Sequence, residues 1–217
     1  MTNKKAYTIR LALYFMGLFI MTLGVSMSVK SNLGVSPVSS IPYTITCITG
    51  LEMGKATILF HAFLVIIQII ILRKAFKMKN LLQVAVGIVF GYFTTFSNYL
   101  FSFLPDVNHM GIRLAMMLVS TFIIAVGIFF YLPADIIPLA GEGVMKTISD
   151  VLHIPFNKVK VAFDVTMVIV SLIACLIALH ELGSVGVGTI VAAILVGTIL
   201  GVINKKFGKY RDKFMQV

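Results

Sequence analysis

Residues 30–43 read KSNLGVSPVSSIPY and break an otherwise apolar chain just after a run long enough to cross a membrane. The stretch holds four serines, an asparagine, a glycine and two prolines. Whether the chain crosses the membrane here or enters and turns back decides the fold. The 217 residues around it are 59% hydrophobic and 12% charged, where a soluble domain carries about a quarter charged residues. Apolar runs occupy about 10–29, 56–72, 81–104, 112–132, 159–179 and 184–203. Their length and number identify an integral membrane protein. Lys4, Lys5 and Arg10 precede the first run like the start of a signal peptide. That run is longer than a signal core and no small-residue cleavage site follows, so it reads as a retained span.

Two segments, 34–51 and 135–153, are shorter and more polar than the spans around them. Their placement points to an internal duplication. Sliding the chain against itself by 103 residues lays IRLALYFMGLFIMTLG (9–24) on IRLAMMLVSTFIIAVG (112–127) and KATILFHAFLVI (55–66) on KVKVAFDVTMVI (158–169). Residues 9–70 then give 14 identities in 62 positions, against about 5 expected by chance for this composition. The last spans align at an offset of 106, Gly91 on Gly197 and Asn98 on Asn204. The chain thus reads as one membrane domain, 1–217, with a first repeat at 9–104, a second at 112–204 and a basic cytoplasmic tail at 205–217.

Charge separates two topologies. If both polar segments cross, the chain has eight spans in parallel repeats and divides Lys and Arg 12 inside to 5 outside, with Lys146 unassigned. If both re-enter, six spans remain and the division is 15 to 3, with only Lys30, Lys55 and Arg113 outside. The positive-inside rule favours the second. The predicted fold is therefore all-α, with six transmembrane helices and two re-entrant or short broken helices. Three crossings per repeat make the repeats inverted. The termini fall in the cytoplasm, and the bacterial inner membrane is the expected location. The net charge of +10 is an orientation signal, since the basic clusters flank apolar runs and no nucleic-acid module accompanies them.

The order of NLGVSP, ITGLEMGKA, LAGEGVMKTI, FNKVKVAFD and VGVGTIVAAILVG along the chain resembles the YczE/YyaS/YitT group of bacterial membrane proteins. Most of the weight lies on 32–55 and 138–201. Val38 departs from the pattern, where many relatives carry an aromatic residue after the proline. The resemblance implies a small polytopic protein of the transporter or permease kind and supplies no substrate.

Ionisable groups within spans are costly and are functional candidates by default. Glu142 and Lys146 share a face if 139–152 is helical, and Lys160 and Asp164 are also four apart. The plain alternatives are an interfacial ion pair for Asp164 and a helix N-terminal charge for Glu142. Under the repeat, His61 falls on Asp164, Gln68 on Ser171, Asn32 on Asp135 and Ser39 on Glu142. Positions 61 and 68, like 164 and 171, lie on one helical face. Ser36, Ser39 and Ser40 join this set as hydroxyls beside a helix start near Pro37, with bonding back to their own helix as the bland reading. Glycines 17, 24, 87, 91, 127, 183, 186, 188, 197 and 201 read as helix-contact positions.

The expected function is a secondary transporter of a small molecule or ion. Its site lies between the two re-entrant segments near the midplane, with proton exchange at Asp164, His61 or Glu142 as a hypothesis. A membrane regulatory or partner subunit without transport of its own is the alternative. The HEL at 180–182 lacks the second histidine of a zinc motif, and no nucleophile elbow or Walker A motif is present, so no enzyme, metal or cofactor is expected. Cys47 and Cys175 have no metal or redox spacing. The lipid bilayer is the expected partner, self-association is compatible with the reading, and substrate identity is open.

Overall fold

A computed structural model describes residues 2–215 of the chain. It is all-helical, with α1 (Thr2–Ser31), α2 (Pro37–Thr49), α3 (Met53–Leu72), α4 (Leu82–Ser102), α5 (Met110–Tyr131), α6 (Ala140–Leu152), α7 (Phe156–Leu179) and α8 (Val187–Met215). Six of these, all but α2 and α6, are long and apolar enough to cross a membrane. Helix α8 begins three residues later than the apolar run suggests, because the chain turns through His180 (φ 59°) and Gly183 (φ 54°) first. It then continues unbroken through the basic residues 205–213.

The short helices have clear local causes. Pro37 starts α2, where a missing N–H costs nothing, and Gly50 ends it in the left-handed region, its N–H donating to Thr46 O at 2.9 Å. His153 ends α6 in the same conformation. Each has 13 residues, which at a rise of about 1.5 Å per residue spans roughly 20 Å. A hydrocarbon core is about 30 Å thick, so neither helix is long enough to cross unaided. They start 103 positions apart and end 103 positions apart. The turn residues before them, Asn32 and Asp135, share that offset and the same left-handed backbone, at φ 50° and 51°.

At the centre, α1 packs antiparallel on α5. Gly17 lies against Gly127 and Tyr131, Gly24 against Ser120 and Ile124, and Ser31 Oγ is 3.9 Å from Met117 Sδ. A β-carbon on Gly17 would stand 2.6 Å from Tyr131 N and 2.7 Å from Gly127 O. Both obstacles are backbone, so the crossing needs glycine. Helix α4 packs on α1 and α3, α8 packs on α5, α2 lies between α7 and α3, and α6 lies against α3 and α7. Outside the ends, Lys30 Nζ sits 2.7 Å from Asp106 Oδ1, and this contact holds the exposed Asp106 carboxyl below the ordinary aspartate range.

The short helices run alongside long ones. Ser40 meets Ser171 and Thr44 meets Cys175, so α2 starts beside the middle of α7 and advances toward its C-terminal end. Gly141 faces Leu64 and Gly143 faces Gln68, so α6 runs the same way along α3. Their first turns meet: Val38 packs against the cluster that holds Ala140 and Val144, and a β-carbon on Gly141 would lie 3.6 Å from Val38 Cγ1. Large apolar side chains such as Ile70, Tyr92, Ile177 and Ile194 cover the outside and meet the lipid bilayer.

Candidate functional site

The meeting point of α2 and α6 is surrounded by three polar groups. The first is built on α6. Glu142 lies in its first turn and is half-buried. Its Oε2 accepts from the Tyr131 hydroxyl at 2.5 Å, and that hydroxyl accepts in turn from Leu139 N–H, also at 2.5 Å. Tyr14, stacked at a tilt on Tyr131 with 5.4 Å between centroids, donates to Ile137 O at 2.7 Å. Two phenols therefore satisfy the backbone that leads into α6, one of them held by the Glu142 carboxylate, where no side-chain cap is present. The i,i+4 spacing put Lys146 on the same face as Glu142, but Lys146 is exposed and makes no salt bridge with it.

The second group is an amide pair. Gln68 Nε2 donates to Gln83 Oε1 at 2.8 Å, and Gln83 Nε2 returns a bond to Gln68 Oε1 at 3.2 Å. Gln68 Nε2 also reaches Ala140 O at 3.4 Å, tying α3 and α4 to the start of α6. Gly143 opposes both carboxamides, which leave no room for a side chain there. The third group is the hydroxyl seam of α2 and α7. Ser171 Oγ donates to Ser40 Oγ at 2.8 Å, and Ser40 donates to Pro37 O at 2.6 Å. Thr44 and Ser184 share a bond of 2.5 Å, with the buried free thiol of Cys175 3.7 Å from Thr44 Oγ1. Ser36 donates to Ser39 at 3.0 Å in the turn that opens α2.

His61 and Asp164 differ in setting. His61 is buried on α3 between the rings of Phe60 and Phe90, against Gly87 of α4, and its Nδ1 has no hydrogen-bond partner. Asp164 places Oδ2 2.7 Å from Lys160 Nζ, as its spacing predicts, while Oδ1 is buried without a partner. The aspartate side chain is 16% exposed and the lysine 49%, so the pair sits with its cation toward the outside of the bundle.

Asn32 and Asp135 are not drawn in. Both are exposed turn residues, and Asn32 offers its carbonyl to Arg113. Asn32 also lines a shallow cavity of about 450 Å³ with Gly34, Glu181 and Gly186, between the turns after α1 and α7. Sequence reasoning missed Tyr14, Tyr131 and Gln83. Gln83 carried a usable signal, as a lone amide at the start of an apolar run. The tyrosines carried none, because a tyrosine near a span end ordinarily marks the membrane interface.

The family described as "Family of unknown function (DUF6198)" matches residues 8–205. "Uncharacterized membrane protein YczE" of Bacillus subtilis (strain 168) is 26% identical over 198 residues, covering 91% of this chain and 86% of the relative. "Uncharacterized protein YyaS" of the same organism is 26% identical over 193 residues, covering 87% and 89%. Both are names carried by the resemblance read in the motifs. No solved structure matches.

Proposed function

The chain belongs to the family of unknown function DUF6198, and as a membrane-embedded helical member of it we propose that it is a secondary transporter of a small molecule or ion. The observation that carries this reading is the meeting of two half-length helices, α2 and α6, at Val38 and Gly141 beside the middles of long helices. Broken elements that meet inside a bundle are a recurrent plan of transport sites, since short helices present free N–H groups to the pathway. The antiparallel crossing of α1 on α5 supports an inverted repeat, because these helices align at the 103-residue offset and face opposite ways. On this reading the termini are cytoplasmic and the chain sits in a bacterial inner membrane.

The site lies around Val38 and Gly141, with Ser36, Ser39 and Ser40 on one side and Glu142 with Gln68 on the other. His61 and Asp164 are the groups assigned to proton exchange, each with one buried polar atom left without a partner. Tyr131 holds Glu142 in place.

The test uses proteoliposomes enclosing a pH-sensitive dye, challenged with a panel of labelled organic anions, organic cations and neutral solutes. A saturable solute that drives proton movement and shows counterflow is expected. Asp164→Asn should abolish the coupled proton movement while eluting as a folded protein in detergent. Unchanged proton movement in the variant removes Asp164 from the mechanism. A panel in which no solute moves at all counts instead for a partner subunit without transport of its own.

A further inference from the structure

Most helix pairings of the first half recur in the second, and the largest departure is at the last helix of each. Helix α4 packs on α1 as α8 packs on α5, but α4 also lies along α3, whereas α8 does not lie along α7. In the first half, Gly54, His61 and Val65 of α3 are buried and Ile58 is half-buried, while Gly87 and Gly91 of α4 are buried against them. At the 103-residue offset the matching face of α7 is Asn157, Val161, Asp164 and Val168. There Asn157 and Val161 are exposed and the other two only half-buried. The matching stripe of α8 is Ala193, Gly197 and Gly201, all exposed, and nothing lies within 4 Å of a β-carbon built on either glycine. A seat and its occupant are thus both bare in one half while their equivalents are joined in the other.

We propose that this bare face of α7 is the docking surface for the chain's own α8 in a second state, and that the α3–α4 contact shows the form the closed seam takes. The proposal rests on the duplication and on the transport reading above. Small residues at 193, 197 and 201 allow α8 to approach α7 as closely as Gly87 and Gly91 let α4 approach α3. Closure brings Gly197 onto Val161, as Gly91 lies on Ile58, and covers Asp164, as α4 covers His61. Closing one seam while opening the other moves access from one side of the meeting point of α2 and α6 to the other, and each state is a packing the sequence already makes once.

The test is a tether across the seam. In the full chain, with Cys47 and Cys175 replaced by serine, Val161→Cys and Gly197→Cys are combined and native membranes are treated with a short thiol-to-thiol cross-linker. Unreacted thiols are counted by the gel shift of a maleimide polymer. Both positions are exposed, and size-exclusion elution checks that the variant folds. Loss of both shifts at monomer mobility is expected, with each single variant keeping its shift. Gly201→Trp, which fills the seam, should restore both shifts. Full retention of both thiols overturns the proposal, as does a dimer band, which would make a second copy the occupant, or linking that Gly201→Trp leaves unchanged. The measurement needs no solute, so a failed solute panel with an intact tether condemns the transport reading alone.

Discussion

At the scale of single residues, the start of α6 depends on Tyr131. Its hydroxyl is at once the acceptor for Leu139 N–H and the donor to Glu142. Tyr131→Phe keeps the buried ring and removes both bonds, leaving a backbone donor and a carboxylate each one partner short. Losses of this kind cost about 1–3 kcal/mol, so the variant should unfold at lower temperature in detergent than the parent. Tyr14→Phe, which loses only one bond to Ile137 O, should cost less. Equal melting of Tyr131→Phe and the parent would show that water or Lys146 supplies the missing contacts. His61 and Asp164, which align at the 103-residue offset, hold opposite solutions. The histidine is enclosed by aromatic rings, while the aspartate keeps a charged partner within its own helix.

At the scale of elements, the junction of α3, α4 and α6 is an amide pair whose members satisfy each other. Replacing either glutamine by leucine strands the other in a buried site, at about 1–3 kcal/mol. Replacing both leaves no stranded amide apart from the weak contact at Ala140 O. A double-mutant cycle on Gln68→Leu and Gln83→Leu should therefore give a double variant more stable than the sum of the singles predicts, with a coupling of about 0.5–3 kcal/mol. Simple additivity in thermal unfolding would mean that the two amides do not pair. The short helices themselves were readable from sequence: 34–51 and 135–153 stood out by polarity, and the observed α2 and α6 fall within them. Which side chains would serve them was not readable. Gln83 is 15 residues from Gln68, and Tyr131 precedes α6 across a turn. The glycines divide in the same way. All of them read as contact positions, yet Gly17, Gly24 and Gly127 meet backbone of the facing helix while Gly197 and Gly201 meet nothing.

At the scale of the whole molecule, the re-entrant reading makes a prediction about sides. Single cysteines at Asn32, Lys55, Met78 and His153, all exposed positions, are placed in a chain lacking Cys47 and Cys175. In intact cells a membrane-impermeant thiol reagent should label the first two and spare Met78 and His153 until the membrane is opened. Labelling of Met78 from outside, with Lys55 protected, would mean that 34–51 crosses and that the repeats are parallel.

The sequence by itself determined that this is a membrane-embedded helical chain with six long apolar helices and two short polar ones, and it carried the family resemblance. These follow from composition, run length and local order, which need no partner to be expressed. Only the tertiary structure decided that Val38 meets Gly141, that Tyr131 rather than Lys146 holds Glu142, and that α4 lies along α3 while α8 does not lie along α7. Periodicity specifies which face of a helix is polar or small. It does not specify which neighbour that face is turned toward, because a small or polar stripe can be packed on protein, as Gly87 and Gly91 are, or left exposed, as Gly197 and Gly201 are.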